Sequence, residues 1–408
     1  MDISIQKSKL HNQQKVQITG SKSESNRLLL LQALYPQISI NNVSNSDDSV
    51  LMQKALVSEE KLIDIHHAGT AMRFLTAYFS IQSGRETVIT GSPRMKERPI
   101  KILVDALKML GAEITYLEND GFPPLRIIGK ELTEHKVTLE ANVSSQYISA
   151  LLLIASKLEN GLELTLKGKI TSVPYINMTL SLLNSIGIET SFVENTISVK
   201  PNAANLEPQS LTVESDWSSA SYFYGLIALS DVDTEITIGA YKNKSLQGDS
   251  VLADIYEKFG VTTTFEDDSI TLRKSSNIDI KSIIELDLKN APDIAQTIAV
   301  TAFGLGLKCS MIGLHTLKIK ETDRLVALKI ELEKLGAEVH ITDLSLHLEP
   351  SKTINSNVAI ATYNDHRMAM AFAPLGLKVP IVIENADVVS KSYPQFWEDF
   401  KAIGFNLK

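Results

Sequence analysis

Three features of the sequence predict an α/β protein built of two similar domains. They are a recurring helix–glycine–strand unit, strand-like segments between the helical ones, and a length of 408 residues, too great for one ordinary core. The recurrence is clearest in LVDALKMLGAEITYL from Leu103, MTLSLLNSIGIETSF from Met178, VLADIYEKFGVTTTF from Val251 and LVALKIELEKLGAEVHI from Leu325. In each, apolar residues three or four apart mark one face of a helix. A glycine follows where a helix end favours a left-handed residue, and then a strand-like run. Gly111, Gly187, Gly260 and Gly336 stand 76, 73 and 76 residues apart.

Taken in order, a first unit is expected one period before Gly111, with its helix ending near Leu34. A last unit closes the chain as FWEDFKAIGFNL, with Gly404 in the glycine position. Six units, three and three, give two similar domains. The period is too long for a helical solenoid or a propeller blade. The chain is expected to change domain near Glu214–Trp217, where strand-like LTVES meets helical SSASYFYGLIAL. The domain of the last three units also claims the first strand. The expected boundaries are residues 18–214 for one domain and 1–17 with 215–408 for the other.

Composition excludes several classes. A hydrophobic fraction of 44% and a charged fraction of 22% are those of a soluble globular protein. No apolar run reaches the roughly 20 residues of a membrane span. The opening MDISIQKSKLHNQQ has no signal-like apolar run, so a cytoplasmic location is expected. A single cysteine, Cys309, excludes an internal disulfide framework; it is expected as a small core residue in GLKCSMIGL. The eight histidines show no zinc spacing. A net charge of −8 argues against bulk nucleic-acid binding.

Against that acidic background, cations recur in stretches bracketed by apolar runs. These are GSKSESNR, HAGTAMRF, GSPRMKERPI, KIKETDRL, YNDHRMAM and VVSKSYP. GSKSESNR, from Gly20 to Arg27, precedes the apolar Leu28–Leu31. It reads as an anion cradle at a helix N-terminus, its glycine letting the backbone approach a ligand. Walker A spacing is absent. Arginine suits bidentate recognition of phosphate or carboxylate, and lysine is a point charge for phosphate. The pattern points to a multiply anionic substrate pair held between two domains. Acidic residues share these neighbourhoods. Glu321 lies between Lys320 and Arg324, where cations favour the ionised form. Asp293, in NAPDIAQT, reads from its position alone as a helix N-cap.

Together these motifs resemble the EPSP synthase (3-phosphoshikimate 1-carboxyvinyltransferase) family. GSKSESNR, AGTAMR, GSPRMKERPI, SSQY, SVPYINMTL, SDWSSASYF, QGD, PDIAQTIAV, KETDRL, YNDHRMAM and KSYPQF occur in the family's order over nearly the whole chain. The resemblance implies two domains, each of three βαβαββ units around a pseudo-threefold axis. It implies that the 5-hydroxyl of shikimate 3-phosphate adds to C2 of phosphoenolpyruvate while C3 is protonated, and that phosphate then leaves. No metal or organic cofactor is implied, and no partner beyond these two small molecules; a monomer is expected.

By the same resemblance, Lys22, Ser23, Arg27, Ser144, Ser145, Gln146, Ser172, Tyr175, Asp293, Thr316 and Lys320 serve shikimate 3-phosphate. Lys22, Gly69, Arg94, Gln146, Arg324, Arg367 and Lys391 serve phosphoenolpyruvate. Asp293 becomes the base on the 5-hydroxyl, reversing the cap reading. Glu321 carries the proton for the methylene carbon, and Lys22 joins them as catalytic. Glyphosate is implied as a competitor in the pocket at Gly69. Departures from the family pattern are His67, Phe74, Thr19 and Thr316. The sister enolpyruvyl transferases acting on UDP-N-acetylglucosamine usually carry a Lys-Asn pair at the opening, where this chain has Lys22-Ser23. A catalytically dead homologue should have lost charged site residues, and the main ones are present.

Overall fold

The structure is a computed structural model and describes residues 1–140, 144–168, 170, 173–202 and 206–408. The chain divides into two compact units. One is continuous, Gly20–Val213; the other joins Met1–Thr19 to Glu214–Lys408. Among the described residues, each unit carries three small sheets.

Four of the six sheets share one plan. In the continuous unit, Leu62–Asp64 runs parallel to Glu86–Thr90, which pairs antiparallel with Leu125–Ile128 and through it with Glu113–Tyr116. This is a βαβ crossover followed by a hairpin, the βαβαββ unit in strand order 1-2-4-3. The sheet around Leu162–Lys167 repeats it. So do the sheets around Glu235–Gly239 and Lys308–Ile312 in the other unit.

The remaining two sheets show where the repeat is cut. Val358–Ile360 and Ile381–Ile383 form the parallel pair of one, and the N-terminal strand Ile3–Ile5 supplies its third member. The C-terminal residues lie beyond it, with Ser4 N donating to Lys408 O at 2.8 Å. In the first unit, Gln209–Thr212 pairs in parallel with Ile38–Asn41, and no hairpin follows. The helix Asp47–Val57 leads directly to the strand Leu62–Asp64.

Two kinds of helix alternate. Gly69–Ser80, Trp217–Leu229 and His366–Phe372 are buried at every residue. Lys22–Leu34, Ser145–Ala155 and Ala295–Gly304 are buried along most of theirs. A helix apolar all round must lie inside a core. The three such helices of each unit touch one another pairwise, as a threefold arrangement requires. The sheets cover them from outside, and their strands alternate buried with half-exposed residues, as in Leu162–Lys167. The second helix of each βαβαββ unit lies nearer the surface; Lys101–Met109 buries only Leu103, Val104, Ala106 and Leu107.

The glycine-marked repeat belongs to this outer set. Gly111, Gly187, Gly260, Gly336 and Gly404 all have positive φ. One expectation is corrected. The helix ending at Leu34 is an inner helix, and the outer helix of the first unit is Asp47–Val57, which ends at Ser58 with no glycine. The period fails there because that unit has no hairpin to follow the helix. Cys309 is buried in the strand Lys308–Ile312, and burial pushes its thiol up to about 12.

The outer-helix glycines predict a graded cost. A Cβ at Gly336 (φ +99°) would meet Asn355 Nδ2 at 3.4 Å, an accommodating side-chain end. One at Gly260 (φ +74°) would lie 2.2 Å from the Ser276 carbonyl oxygen. Gly336→Ala should cost about 1–2 kcal/mol of left-handed strain. Gly260→Ala should cost about 1–3 kcal/mol more, because backbone must move. Urea unfolding midpoints of the two variants check the order.

Candidate active site

In the continuous unit, several candidate side chains stand on the first turns of the inner helices. Ser23, Thr70 and Gln146 each occupy the second position of their helix. Gln146 Nε2 donates to Thr70 Oγ1 at 3.3 Å, so two of these first turns touch. Three N-termini at one end combine free N–H groups with the positive ends of three helix dipoles.

Arg27 is buried beneath this end, 2% exposed. Its Nε donates to Thr179 Oγ1 at 2.8 Å, Nη2 to Ser149 Oγ at 2.9 Å and Nη1 to the Ser23 carbonyl at 2.7 Å. The Tyr175 carbonyl accepts a longer bond, and the guanidinium lies over the Phe74 and Tyr175 rings. Among the described residues, every one of these acceptors is neutral. Burial therefore pushes Arg27 down to about 10, and an anion arriving beside it would relieve that cost.

The opening motif divides by role. Asn26 donates to Asp48 and accepts from Ser49, and Ser25 accepts from the Ser44 N–H, so these two fix the helix to its neighbours. Gly20 serves the chain itself: a Cβ there would sit 1.9 Å from the Asn42 carbonyl oxygen. Its expected approach to a ligand is thus replaced by a backbone contact. Lys22, half-buried, forms no ion pair among the described residues.

The turn after Gly91 separates the two arginines of its motif. Arg94 points outward, with a side chain 62% exposed and paired with Glu97 at 2.8 Å. Arg98 instead lies across Gly69, where a Cβ would be 2.5 Å from its Nη1. The Arg98 side chain has no ion pair or hydrogen bond among the described residues; its backbone N–H donates to the Met95 carbonyl. Arg73 holds this junction. It donates to the carbonyls of Gly69 and Pro99, and burial, helped by Arg98, pushes it down to about 10. Sequence reading named Arg94; the one-turn helix Pro93–Lys96 leaves Arg94 exposed and brings Arg98 beside Gly69. Ser144 caps the helix Ser145–Ala155 by accepting from Gln146 N. Ser172 lies outside the described residues.

The discontinuous unit repeats the plan with a different balance of charge. Ser218, Gln296 and Arg367 hold the second helical position. Asp293 does not cap its helix: Ile294 holds the N-cap of Ala295–Gly304 without a side-chain bond. Its carboxylate meets Arg324 at 2.9 Å, Lys320 at 3.1 Å and Arg367 at 3.3 Å. Burial alone would raise Asp293, but Lys320, Arg367 and Arg324 outweigh it and hold the group well below the usual range.

Arg324 is 2% exposed and also pairs with Asp365 at 2.6 Å and Glu321 at 2.8 Å. Burial opposes its charge, yet Asp365, Glu321 and Asp293 raise it above its ordinary value. Asp365 caps the helix carrying Arg367, accepting from its N–H at 2.9 Å. Tyr363 and Asn364 precede it with φ of 54° and 55°, and Lys391 donates to the Asn364 carbonyl at 2.6 Å. Two consecutive left-handed residues aim this turn. Thr316 sits in the turn His315–Ile319, which packs on Pro292–Ile294; its hydroxyl is buried without a partner among the described residues.

Asp249 was not singled out in the sequence. It is buried, accepts from Ser218 Oγ, and is pushed up to about 6 by burial and by Asp293, against Arg367. Among the described residues, no group of three or more His, Cys, Asp or Glu is placed to hold a metal ion. None of the described helices is long and apolar enough to cross a membrane.

The chain aligns with the enolpyruvyl transferase NikO from Streptomyces tendae at TM-score 0.75 and 14% identity, covering 100% of this chain and 98% of that one. It aligns with EPSP synthase from Acinetobacter baumannii at TM-score 0.82 and 20% identity, covering 100% and 99%. Those identities establish the fold, and the sequence supplies the family. A family model described as EPSP synthase (3-phosphoshikimate 1-carboxyvinyltransferase) matches residues 53–400. A 3-phosphoshikimate 1-carboxyvinyltransferase of Bacteroides fragilis is 47% identical over 399 residues, covering 96% of each chain. One from Haemophilus influenzae is 36% identical, covering 95% of this chain and 96% of its own. The chain belongs to the EPSP synthase family.

The raised carboxyl of Asp249 gives a stability test. Between about pH 4 and pH 6 the folded state holds its proton while the unfolded state has lost it. The contribution to stability is therefore full below pH 4 and lost as pH rises through 6. Subtracting the pH dependence of the Asp249→Asn urea midpoint from that of the wild type should leave a falling slope in this window. A flat difference would remove Asp249 as its source.

Proposed function

We infer that this chain transfers the enolpyruvyl group of phosphoenolpyruvate to the 5-hydroxyl of shikimate 3-phosphate, releasing phosphate. The observation that carries the reading is a contrast of charge. One unit offers Lys22, Arg27, Arg73 and Arg98 without a carboxylate ion pair among the described residues. The other offers cations already paired with candidate acid–base groups. One anionic substrate pair is proposed to engage both sets.

In this reading Lys22, Ser23, Arg27, Ser144, Ser145, Gln146, Ser172 and Tyr175 hold shikimate 3-phosphate, with Thr316 and Lys320 toward its hydroxyls. Lys22, Gln146, Arg98, Arg324, Arg367 and Lys391 hold phosphoenolpyruvate. Arg98 takes the place first expected of Arg94. Asp293 removes the proton of the 5-hydroxyl. Three cations make it a weak base at rest. Anionic substrates compete for those cations, and each one drawn off raises its basicity. Glu321 delivers the proton to the methylene carbon, giving a tetrahedral adduct. Phosphate then leaves from that adduct while Glu321 takes a proton back from the new methyl group, so that the C=C bond of the enol ether forms, and the cations stabilise the charge released.

Phosphate release should require both shikimate 3-phosphate and phosphoenolpyruvate, with none when UDP-N-acetylglucosamine replaces the former. Release with the nucleotide sugar would point to the sister reaction. Arg98→Ala should raise the KM for phosphoenolpyruvate at least about tenfold, the loss of one charge-assisted contact, and Arg94→Ala should leave it within about threefold. Gly69→Ala should also raise it, because the new methyl displaces the Arg98 guanidinium.

Asp293→Asn should lower kcat by about 100-fold or more, since general acid–base groups contribute about 10²–10⁴-fold. Binding of shikimate 3-phosphate, followed by calorimetry, should change little. Turnover within a few fold of wild type would move the base elsewhere.

A further inference from the structure

The first turns of the discontinuous unit hold more negative charge than an anion site can keep. Asp293, Glu321, Asp365, Asp249 and Asp216 face Arg324, Arg367 and Lys320. Four of these carboxylates have an evident use. Asp293 meets three cations, Glu321 and Asp365 meet Arg324, and Asp216 caps its helix by accepting from Ser218 N at 2.8 Å. Asp249 differs. It is 4% exposed and forms no ion pair among the described residues. Its Oδ2 accepts from Ser218 Oγ. Its Oδ1 is buried with no hydrogen-bond partner among the described residues.

Ser218 is the link to the site. Its Oγ accepts from Arg367 Nη2 at 3.2 Å, and the same Nη2 donates to Asp293 Oδ2 at 3.3 Å. A chain therefore runs from Asp249 through Ser218 to Arg367 and Asp293. With Asp249 ionised, the serine proton points to Asp249 and a serine lone pair holds the guanidinium. With Asp249 protonated, its own hydroxyl can donate to Ser218, and the serine proton is free to turn elsewhere.

We propose that Asp249 is a positioning residue that aims Arg367 through Ser218 and takes up a proton from solvent when an anionic substrate binds at Arg367. The proposal rests on the reading of Arg367 as a phosphoenolpyruvate ligand. An arriving carboxylate or phosphate adds negative charge to a cluster in which carboxylates already outnumber cations. One carboxylate must be neutralised, and the buried group without an ion pair is the one to accept the proton. Asp293, Arg367 and Asp216 are the charged groups that act on it, with Tyr222 and Arg324 facing the same guanidinium. Burial and Asp293 already raise it to about 6, which makes such uptake accessible at the pH of the reaction.

The test uses the enzyme saturated with shikimate 3-phosphate. The titrant is phospholactate, the saturated analogue of phosphoenolpyruvate, which cannot undergo the addition. Calorimetry at pH 7 in two buffers of different ionisation heat counts the protons exchanged. The wild type should take up about half a proton per site more than Asp249→Asn, the change expected when a carboxyl near 6 rises by about one unit. Equal uptake overturns the proposal. A second readout needs no variant: wild type should gain an infrared stretch of a protonated carboxyl on adding phospholactate, and its absence also overturns it. Arg367→Lys separates the two levels of the argument. If that change weakens phospholactate at least about tenfold while uptake is equal in wild type and Asp249→Asn, the role of Asp249 alone fails. If it leaves affinity unchanged, the reading of Arg367 fails, and the proposal with it.

Discussion

The burial of three helices with almost no polar face is the constraint on which each unit depends. Gly69–Ser80 and Trp217–Leu229 have no residue to offer water. They can exist only packed on their own kind and covered by sheets. Each sheet is therefore half-buried and outward, and each second helix amphipathic and peripheral. Packing the inner helices in one direction brings their N-termini together. The orphan N–H groups and dipole ends gathered there would be costly without charged or polar partners. The fold thus creates a place for anions as a consequence of how it fills its core.

The two units answer that constraint in opposite ways. In Gly20–Val213, buried guanidinium groups are held by carbonyls and hydroxyls, and the lowered values of Arg27 and Arg73 record what burial costs them. In the other unit, carboxylates are already present, and Arg324 is raised rather than lowered. In the proposed reaction, binding and acid–base work are separated along the chain. A shared helix position carries both: Ser23, Thr70 and Gln146 in one unit, Ser218, Gln296 and Arg367 in the other. Arg73 and Asp365 touch neighbouring protein groups rather than open space. They set the orientation of the residues that would meet substrate, Arg98 in one case and Arg367 in the other.

Much of this was legible without coordinates. The spacing of Gly111, Gly187, Gly260 and Gly336 reports the outer helices because a left-handed helix end admits few residues other than glycine. Runs such as SSASYFYGLIAL mark inner helices because a buried helix excludes charge from all sides. The charged stretches mark first turns because cations bracketed by apolar runs in an acidic chain need a local reason. The same local logic failed at the first unit. A missing hairpin shifts the period without leaving any residue to announce it.

Local chemistry, in short range, determined the kind of element, the repeat and the residue types available for the reaction. Tertiary packing alone decided which of those residues face inward. Arg94 and Arg98 are four residues apart in one motif, yet one turns to Glu97 and water while the other lies across Gly69. Gly20 reads like a ligand-facing glycine until Asn42, far along the chain, fills its space. Asp293 reads like a cap until Lys320, Arg324 and Arg367 arrive from two other segments. Asp249 shows nothing in its neighbourhood, because its significance comes from Ser218 and Arg367. The physical reason is common to all four. Propensity and periodicity act over a few residues, whereas charge and close contact act through space, between segments that only the finished fold brings within 4 Å.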